Sequence, residues 1–401
     1  VKAGWEAKTL GEVILKTETV NPLASPNQDF EYIDVSSVSN ATFQIQQTQR
    51  LKGKDAPSRA RRVVKTDDVL LATIRPTLRR IALVPDELDN QVCSTGYAVL
   101  RSGPKLVPKY LFYYLFTEPF QLAMETLQKG ASYPAVTEGE VRDQPLLLPP
   151  LPEQQRIVAI LDEAFAAIAT AKANAEKNLQ NARALFESSL NSALSSPGPL
   201  WKATTLGAEV DLLSGFAFQS GKYTQAPDSI RLLRGDNIIQ RAVRWEDVKN
   251  WPKSDCAQYE RYFLQEGDVV VAMDRPWTKA GLKHAKLSGD DIPCLLVQRT
   301  CRLRCKPRID RDFLYALLGS EAFTAHVLGS LTGIGVPHIS GGQILSFPFH
   351  LPPLPLQLEV TQTLNSLRNE THRLESLYRR KIAALDELKK SLLHRAFNGD
   401  L

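Results

Sequence analysis

Leu148-Pro149-Pro150-Leu151-Pro152-Glu153-Gln154-Gln155 is the stretch on which the organisation of the chain turns. Proline is tolerated in the first turn of a helix and nowhere deeper. From Glu153 to Ser195 there is no proline or glycine, and Ala, Leu, Glu, Gln, Lys and Asn dominate. That run predicts one helix of about 40 residues, near 60 Å at 1.5 Å per residue. The motif returns as Leu351-Pro352-Pro353-Leu354-Pro355, with Gln154 matched by Gln357, and a second uninterrupted run follows to Asn398. Gly198 and Gly399 stand just past the two runs, where helices commonly stop.

Working outward from the motif, the whole chain proves to be duplicated. Trp5-Glu6-Ala7-Lys8-Thr9-Leu10-Gly11 returns as Trp201-Lys202-Ala203-Thr204-Thr205-Leu206-Gly207. Asp68-Val69-Leu70-Leu71-Ala72 with Arg75-Pro76 returns as Asp268-Val269-Val270-Val271-Ala272 with Arg275-Pro276. Three matches in order, at nearly constant spacing, place a first globular domain at 1–150, a long helix at 151–197, a second domain at 198–353 and a second helix at 354–401. Each domain mixes short β runs (Val69 to Ile74, Val92 to Leu100, Val269 to Met273, Leu295 to Leu303) with candidate helices at Tyr110 to Phe116 and Phe313 to Leu318. The expected fold class is α+β: two tandem α/β domains, each followed by a long helix.

A 3-4 spacing of small and apolar residues runs through the first helix as Ile157, Leu161, Ile168, Ala175 and Leu185. The second carries Val360, Leu364, Leu374, Tyr378, Leu385 and Leu388 in the matching register. Small residues of one seam correspond to large ones of the other, Ala175 to Tyr378 for example, which suits a coiled coil. A domain of about 150 residues separates the helices, so an antiparallel pairing with pseudo-twofold symmetry is the easiest to connect. The competing arrangement packs each helix on its own domain.

A hydrophobic fraction of 43% and a charged fraction of 23% fit an ordinary globular protein, and no apolar stretch is long enough to span a membrane. The opening twenty residues are studded with charges and hold no signal-peptide core, so a cytoplasmic location is expected. Five cysteines give no disulfide framework, and Cys301, Leu303 and Cys305 alternate as one face of a strand. No metal site is expected. All six histidines fall in the second copy, so work common to both copies does not use histidine; His284 and His338 are expected on the surface or in polar loops.

Ten Lys or Arg against three Asp between Arg50 and Arg80, including Arg59, Arg61 and Arg62, form a basic patch suited to phosphate backbones. Each copy keeps a basic loop after its Asp-Val strand: Arg75-Pro76-Thr77-Leu78-Arg79-Arg80 and Arg275-Pro276-Trp277-Thr278-Lys279, the latter running on to Lys283. Arginine suits bidentate contact with guanine and with phosphate. A second loop, with Ser132-Tyr133-Pro134 or Gly333 to His338, precedes each long helix, and Arg234 sits in a matching strand-to-loop junction. These residues are the candidate DNA contacts. No phosphate-binding Gly-Lys-Ser/Thr loop and no Asn/Asp-Pro-Pro-aromatic tetrapeptide occurs, so neither a nucleotide motor nor an amino-methyltransferase is indicated, and no catalytic residue is assigned.

Trp5 to Gly11, Trp201 to Gly207, Leu148 to Gln155 leading into Ile157-Val158, and the ending Ser391 to Leu401 together resemble the specificity subunits of type I restriction-modification enzymes (HsdS-type). The second copy departs at Leu356-Gln357-Leu358, where Glu-Gln-Gln stands in the first. The resemblance implies a non-catalytic subunit whose two target recognition domains each read half of a split, asymmetric double-stranded DNA target. It also implies that the helices space the domains and dock two methyltransferase subunits, with restriction/translocase subunits joining. S-adenosylmethionine, ATP and magnesium would then sit on those partners, and this chain would hold no cofactor. A type IIB-like system with the same architecture, or a coiled-coil scaffold without a DNA role, are the alternatives.

Overall fold

The computed structural model describes residues 4–195, 197–278, 281–329 and 337–401. It divides into two compact units, Val1–Glu176 with Arg379–Leu401, and Lys177–Tyr378. Each unit therefore holds one globular domain together with parts of both long helices.

In the first unit the run Val69–Ala72 is the centre of an antiparallel sheet, between Tyr97–Ser102 and Ile81–Leu83, with Ile14–Leu15 at one edge. All four of its residues are buried. Side chains alternate across a strand, so Val69 and Leu71 face a cluster with Tyr110, Leu111 and Phe120, while Leu70 and Ala72 face Ile33, Cys93 and Tyr97. A sheet covered on both sides explains why the sequence reads as an unbroken apolar run. A second sheet has the order Gln49–Lys52, Asp29–Ile33, Val92–Ser94, Ala60–Val63. The expected single strand Val92 to Leu100 is thus two strands in two sheets. Gly96 makes the corner: a Cβ there would lie 2.6 Å from Val35 Cγ2.

The second unit repeats this frame. Val269–Ala272 lies between Thr300–Cys305 and His284–Lys286, with Val210–Ser214 at the edge. Lys249–Pro252, Ser229–Leu233 and Cys294–Leu296 form the second sheet, splitting the run Leu295 to Leu303 in the same way. The acid preceding each central strand is structural. Asp68 is buried and takes a bidentate contact from Arg101 at 2.9 and 2.9 Å; Asp268 is buried and takes one from Arg304 at 2.8 and 2.8 Å. Each also accepts a backbone N–H three residues earlier, from Lys65 and Gln265.

The two motifs that flag each copy are bonded to one another. Glu6–Thr9 pairs with Pro145–Leu148, and Lys202–Thr205 with Pro348–Leu351. From there the chain enters helices Leu151–Ser195 and Leu354–Asn398, each of 45 residues. Gln154 is fully buried at the start of the first. Its Nε2 donates to Pro149 O at 2.8 Å and Lys105 O at 2.9 Å, and its Oε1 accepts from Val107 N–H at 2.8 Å. Gln357 repeats every bond, donating to Pro352 O and Arg308 O and accepting from Asp310 N–H. Of the two positions that depart from Glu-Gln-Gln in the second copy, that of Gln155 and Leu358 is exposed, while Glu153, which takes Arg156 at 2.7 and 2.8 Å, gives way to half-buried Leu356; the buried glutamine between them is kept.

Within each unit the helices run antiparallel. In the first, Lys172 reaches Asp386 at 2.7 Å while Arg156, nearer the helix start, reaches Leu401 O at 2.7 Å. In the second, Arg183 pairs with Glu375 at 2.9 Å, and Phe186 and Leu190 pack with Leu364, Val360 and Leu367. The helices also pack on the domains: Ile157, Leu161, Leu393, Ala396 and Phe397 belong to the first domain's core. The two arrangements weighed from the sequence therefore coexist.

The seam itself needs correction at two places. Ile157, Leu161, Ile168, Ala175 and Leu364 are buried, and Val360, Leu374, Tyr378 and Leu385 are half-buried. Leu185 and Leu388, however, are 56% and 47% exposed. A strict seven-residue repeat drifts by about 20° per heptad on a helix of 3.6 residues per turn. After several heptads the inward position moves one residue on, to buried Phe186 and half-buried Lys389, eleven residues beyond Ala175 and Tyr378.

Replacing Gln154 by Leu keeps the volume but strands the Val107 N–H and two carbonyls. Urea unfolding should show a loss of about 2–4 kcal/mol, with faster amide exchange at Val107. Unchanged stability would mean the glutamine does not tie the helix to its domain.

Candidate nucleic-acid interface

The central strand of each domain ends in a loop whose backbone is unusual. Arg75 and Arg79 have φ of 51° and 52°, and Arg275 has φ of 44°. Non-glycine residues in the left-handed region concentrate at functional loops. Arg75 is exposed; its N–H donates to Pro134 O at 2.6 Å, its Nη2 lies 3.3 Å from Ser132 O, and its guanidinium stands 5.1 Å from the Tyr133 ring. Tyr133 is 72% exposed. The two loops singled out from the sequence are thus one surface, laced by the Ile74–Ala135 bridge.

The second domain builds the same junction with other side chains. Arg275 N–H donates to Pro337 O at 3.0 Å, and Asp274 bridges His338. Asp274 also accepts from His338 Nδ1 at 2.5 Å and from Arg299 Nε at 3.1 Å. Lys279 and Gly333 to Val336 lie outside the described residues. Trp277 is only partly accessible and rests on the apolar core.

Several candidate cations serve the fold. Arg80 spreads its guanidinium over the carbonyls of Val35, Ser36 and Val38, at 3.3, 3.2 and 2.6 Å. Arg62 is half-buried against Glu138 at 2.7 Å, and Arg61 donates to Asn21. Arg59 is exposed. Thr77 and Arg79 line a different cleft of about 660 Å³, bounded by Tyr114, Phe120, Leu393 and Phe397. A basic run in sequence is therefore divided among several surfaces.

Arg234, Arg275 and Lys283 instead converge on one pocket of about 440 Å³, with Asp236, Asp274 and Arg299. Arg299 was not singled out from the sequence. It sits at φ 65° in the turn between Leu296 and Thr300, and a basic residue in a tight turn beside the basic loop was the available signal. Lys283 is 9% exposed, and burial pulls its ammonium below the ordinary value, Asp236 opposing and Arg275 adding to the fall.

His284 also departs from expectation. It is buried in the strand His284–Lys286, 5.3 Å from the Tyr315 ring, on the same side of the chain as core residue Leu282. Burial pushes its pKa down from 6.5 to about 4, so the imidazole is neutral and structural. The cysteines are no cluster either: Cys294 and Cys301 lie buried in separate sheets, with burial raising both thiols to about 12.

This pair of matched domains can be set beside known proteins. Residues 2–180 match the family model described as the type I restriction modification DNA specificity domain. The EcoAI specificity subunit of Escherichia coli is 31% identical over 199 residues, covering 49% of this chain and 33% of that subunit. The MjaVIII specificity subunit of Methanocaldococcus jannaschii is 28% identical over 305 residues, 73% of this chain and 70% of the relative. The crystal structure of the HsdS subunit from Thermoanaerobacter tengcongensis matches 100% of this chain and 98% of its own, with a TM-score of 0.70 and 27% identity.

Residues 2–180 carry the type I restriction-modification DNA specificity domain, and the chain as a whole is similar to HsdS subunits of those systems.

The match gives the paired loops a context: one lies in the matched DNA specificity domain and the other at the equivalent edge of its repeat. Among the described residues, no helix is long and apolar enough to cross a membrane.

Arg75 and Arg80 should separate cleanly when each is replaced by Ala. Arg80→Ala should cost about 1–3 kcal/mol of stability by stranding carbonyls. Arg75→Ala should leave stability within about 0.5 kcal/mol but lower duplex affinity and flatten its salt dependence by about one unit of slope. The reverse pattern would remove Arg75 from the interface.

His284 carries a pH signature. Its folded pKa lies below the unfolded value, so protonation favours unfolding as pH falls from 6.5 towards 4. Urea titrations at pH 7 and pH 4.5 should show His284→Phe gaining about 2–3 kcal/mol on the parent over that interval. A constant difference would mean the imidazole is not buried neutral.

Proposed function

We propose that the chain recognises a bipartite, asymmetric double-stranded DNA target, one half per domain, as the specificity subunit of a type I enzyme. The observation that supports this is the repeated junction: Arg75 against Ser132 to Pro134 in one domain, Arg275 against Pro337 and His338 in the other, on equivalent strands with unlike side chains. A common frame with different exposed chemistry is what two readers of different half-sites require. Phosphate contacts would come from exposed Arg59 and the loop arginines, and base contacts from the junctions.

The helices are proposed to set the distance between the half-sites and to dock two methyltransferase subunits. Equivalent faces on one side of DNA recur about every 34 Å, a distance that a helix of about 67 Å can bridge. In this reading the modification subunits hold S-adenosylmethionine, the restriction subunits hold ATP and magnesium, and this chain performs no chemistry. The work would take place on cytoplasmic DNA.

Exchange of residues 1–150 for the equivalent domain of a relative, followed by methylated-site sequencing in a host co-expressing the methyltransferase subunit, should change one half of a split adenine motif. A change in both halves would overturn the assignment of one half-site to each domain.

A further inference from the structure

The pocket in the second domain exists because three matched positions differ between the copies. Ala72 N–H donates to Arg80 O at 3.0 Å, and Ala272 N–H donates to Lys283 O at 3.0 Å, so Arg80 and Lys283 are equivalent. Ala72 pairs with Tyr97 and Ala272 with Thr300. Ile33 and Leu233 occupy the same register against Cys93 and Leu296, which makes Val35 and Gly235 equivalent.

In the first domain this space is closed. The Tyr97 hydroxyl lies 3.1 Å from Asp34 O and from Val35 O, and Arg80 caps the carbonyls of Val35, Ser36 and Val38. In the second, Thr300 turns its hydroxyl onto Val297 O at 2.6 Å, and Gly235 presents no side chain. A Cβ on Gly235 would find nothing nearer than 3.9 Å. About 440 Å³ is left open, with Lys283 on its wall.

Lys283 is nine-tenths buried, and among the described residues its ammonium has no ion pair or hydrogen bond. A buried ammonium without a counter-group is costly, and nothing in the fold uses it. Arg275, on the rim, is likewise without an ion pair among the described residues. The nearby carboxylates are engaged, Asp236 by Arg234 at 2.9 Å and Asp274 by His338 and Arg299. Both oxygens of Asp274 and one of Asp236 are thereby taken, so, among the described residues, the cations left without a partner at the pocket are Lys283 and Arg275, beside the neutral Gln298 and Tyr223.

We propose that this pocket, with Lys283 and Arg275 as its donors, takes an acceptor-only group of the DNA: the O6/N7 edge of a guanine in the second half-site, or a backbone phosphate. Adenine would bring its own N6 donor against the free cations, whereas guanine offers two acceptors there. The inference rests on the DNA-reading function proposed above and adds which residues of the second domain discriminate. Arg80 closes the equivalent space in the first domain, so that domain uses other side chains.

The test uses the full chain assembled with its methyltransferase partner, as the parent and as Lys283→Met. Cognate and scrambled duplexes are titrated over a salt series by fluorescence anisotropy, and methylated sites are sequenced in the host. The variant should melt no lower than the parent, since it loses only an unpartnered buried charge, and should bind cognate duplex tenfold or more weakly. For guanine, the loss is confined to cognate duplex and discrimination relaxes at one position of the second half-site. For phosphate, both duplexes weaken alike and the salt slope falls by about one. Lys283→Gln, polar but uncharged, gives the same readout should the methionine variant fail to fold. Parent-like affinity, motif and slope in the folded variant overturn the pocket while leaving the wider function intact. A parent assembly without DNA affinity or a split motif overturns both.

Discussion

The buried glutamine at the start of each long helix is the constraint on which the rest of the architecture hangs. A carboxamide has both donors and an acceptor in one rigid plane. Gln154 uses them on Pro149 O, Lys105 O and Val107 N–H; Gln357 does the same with Pro352 O, Arg308 O and Asp310 N–H. The carbonyl just before each helix and the turn entering the preceding domain helix are thereby fixed to one point. Because the site is sealed from water, leaving any of these groups unpaired is costly, and the direction in which each 45-residue helix leaves its domain follows from that bond set.

A second repeated device fixes the sheet carrying the recognition loops. Asp68 with Arg101 and Asp268 with Arg304 are bidentate pairs at the entrance to the central strand, with a backbone N–H completing each carboxylate. The strand then runs buried on both faces and emerges at the left-handed Arg75 or Arg275. The frame is held at the near end of the strand and the exposed chemistry varies at the far end. That separation lets Tyr133 stand opposite Arg75 in one copy and His338 beside Asp274 in the other without disturbing the core.

The duplication was legible because its signals are local: proline before a helix, an uninterrupted helical run, an acid before an apolar strand. The pairing of Glu6–Thr9 with Pro145–Leu148 was hidden although both motifs stood out, because strand partners distant in sequence leave no mark on either segment. Leu185 and Leu388 were misplaced for another reason: periodicity specifies a helix face to about one residue over four heptads, and the helix's own pitch decides beyond that. The basic run from Arg50 to Arg80 showed charge but not allegiance. Arg62 and Arg80 look like Arg59 in sequence, yet they are bound to Glu138 and to three carbonyls.

By itself the sequence determined the two copies, their order of domain and helix, the central strands and the loops that follow them, since each is set by propensity and pattern within a few tens of residues. Only the tertiary structure decided which cations are free. It showed that Gln154 and Gln357 are clamps, that Ser132 and Tyr133 share a surface with Arg75, and that Lys283 lines an open pocket where Arg80 closes its counterpart. Those outcomes depend on what lies across a sheet or beneath a turn. Burial and partnering of a polar group are properties of the assembled neighbourhood, not of the residue.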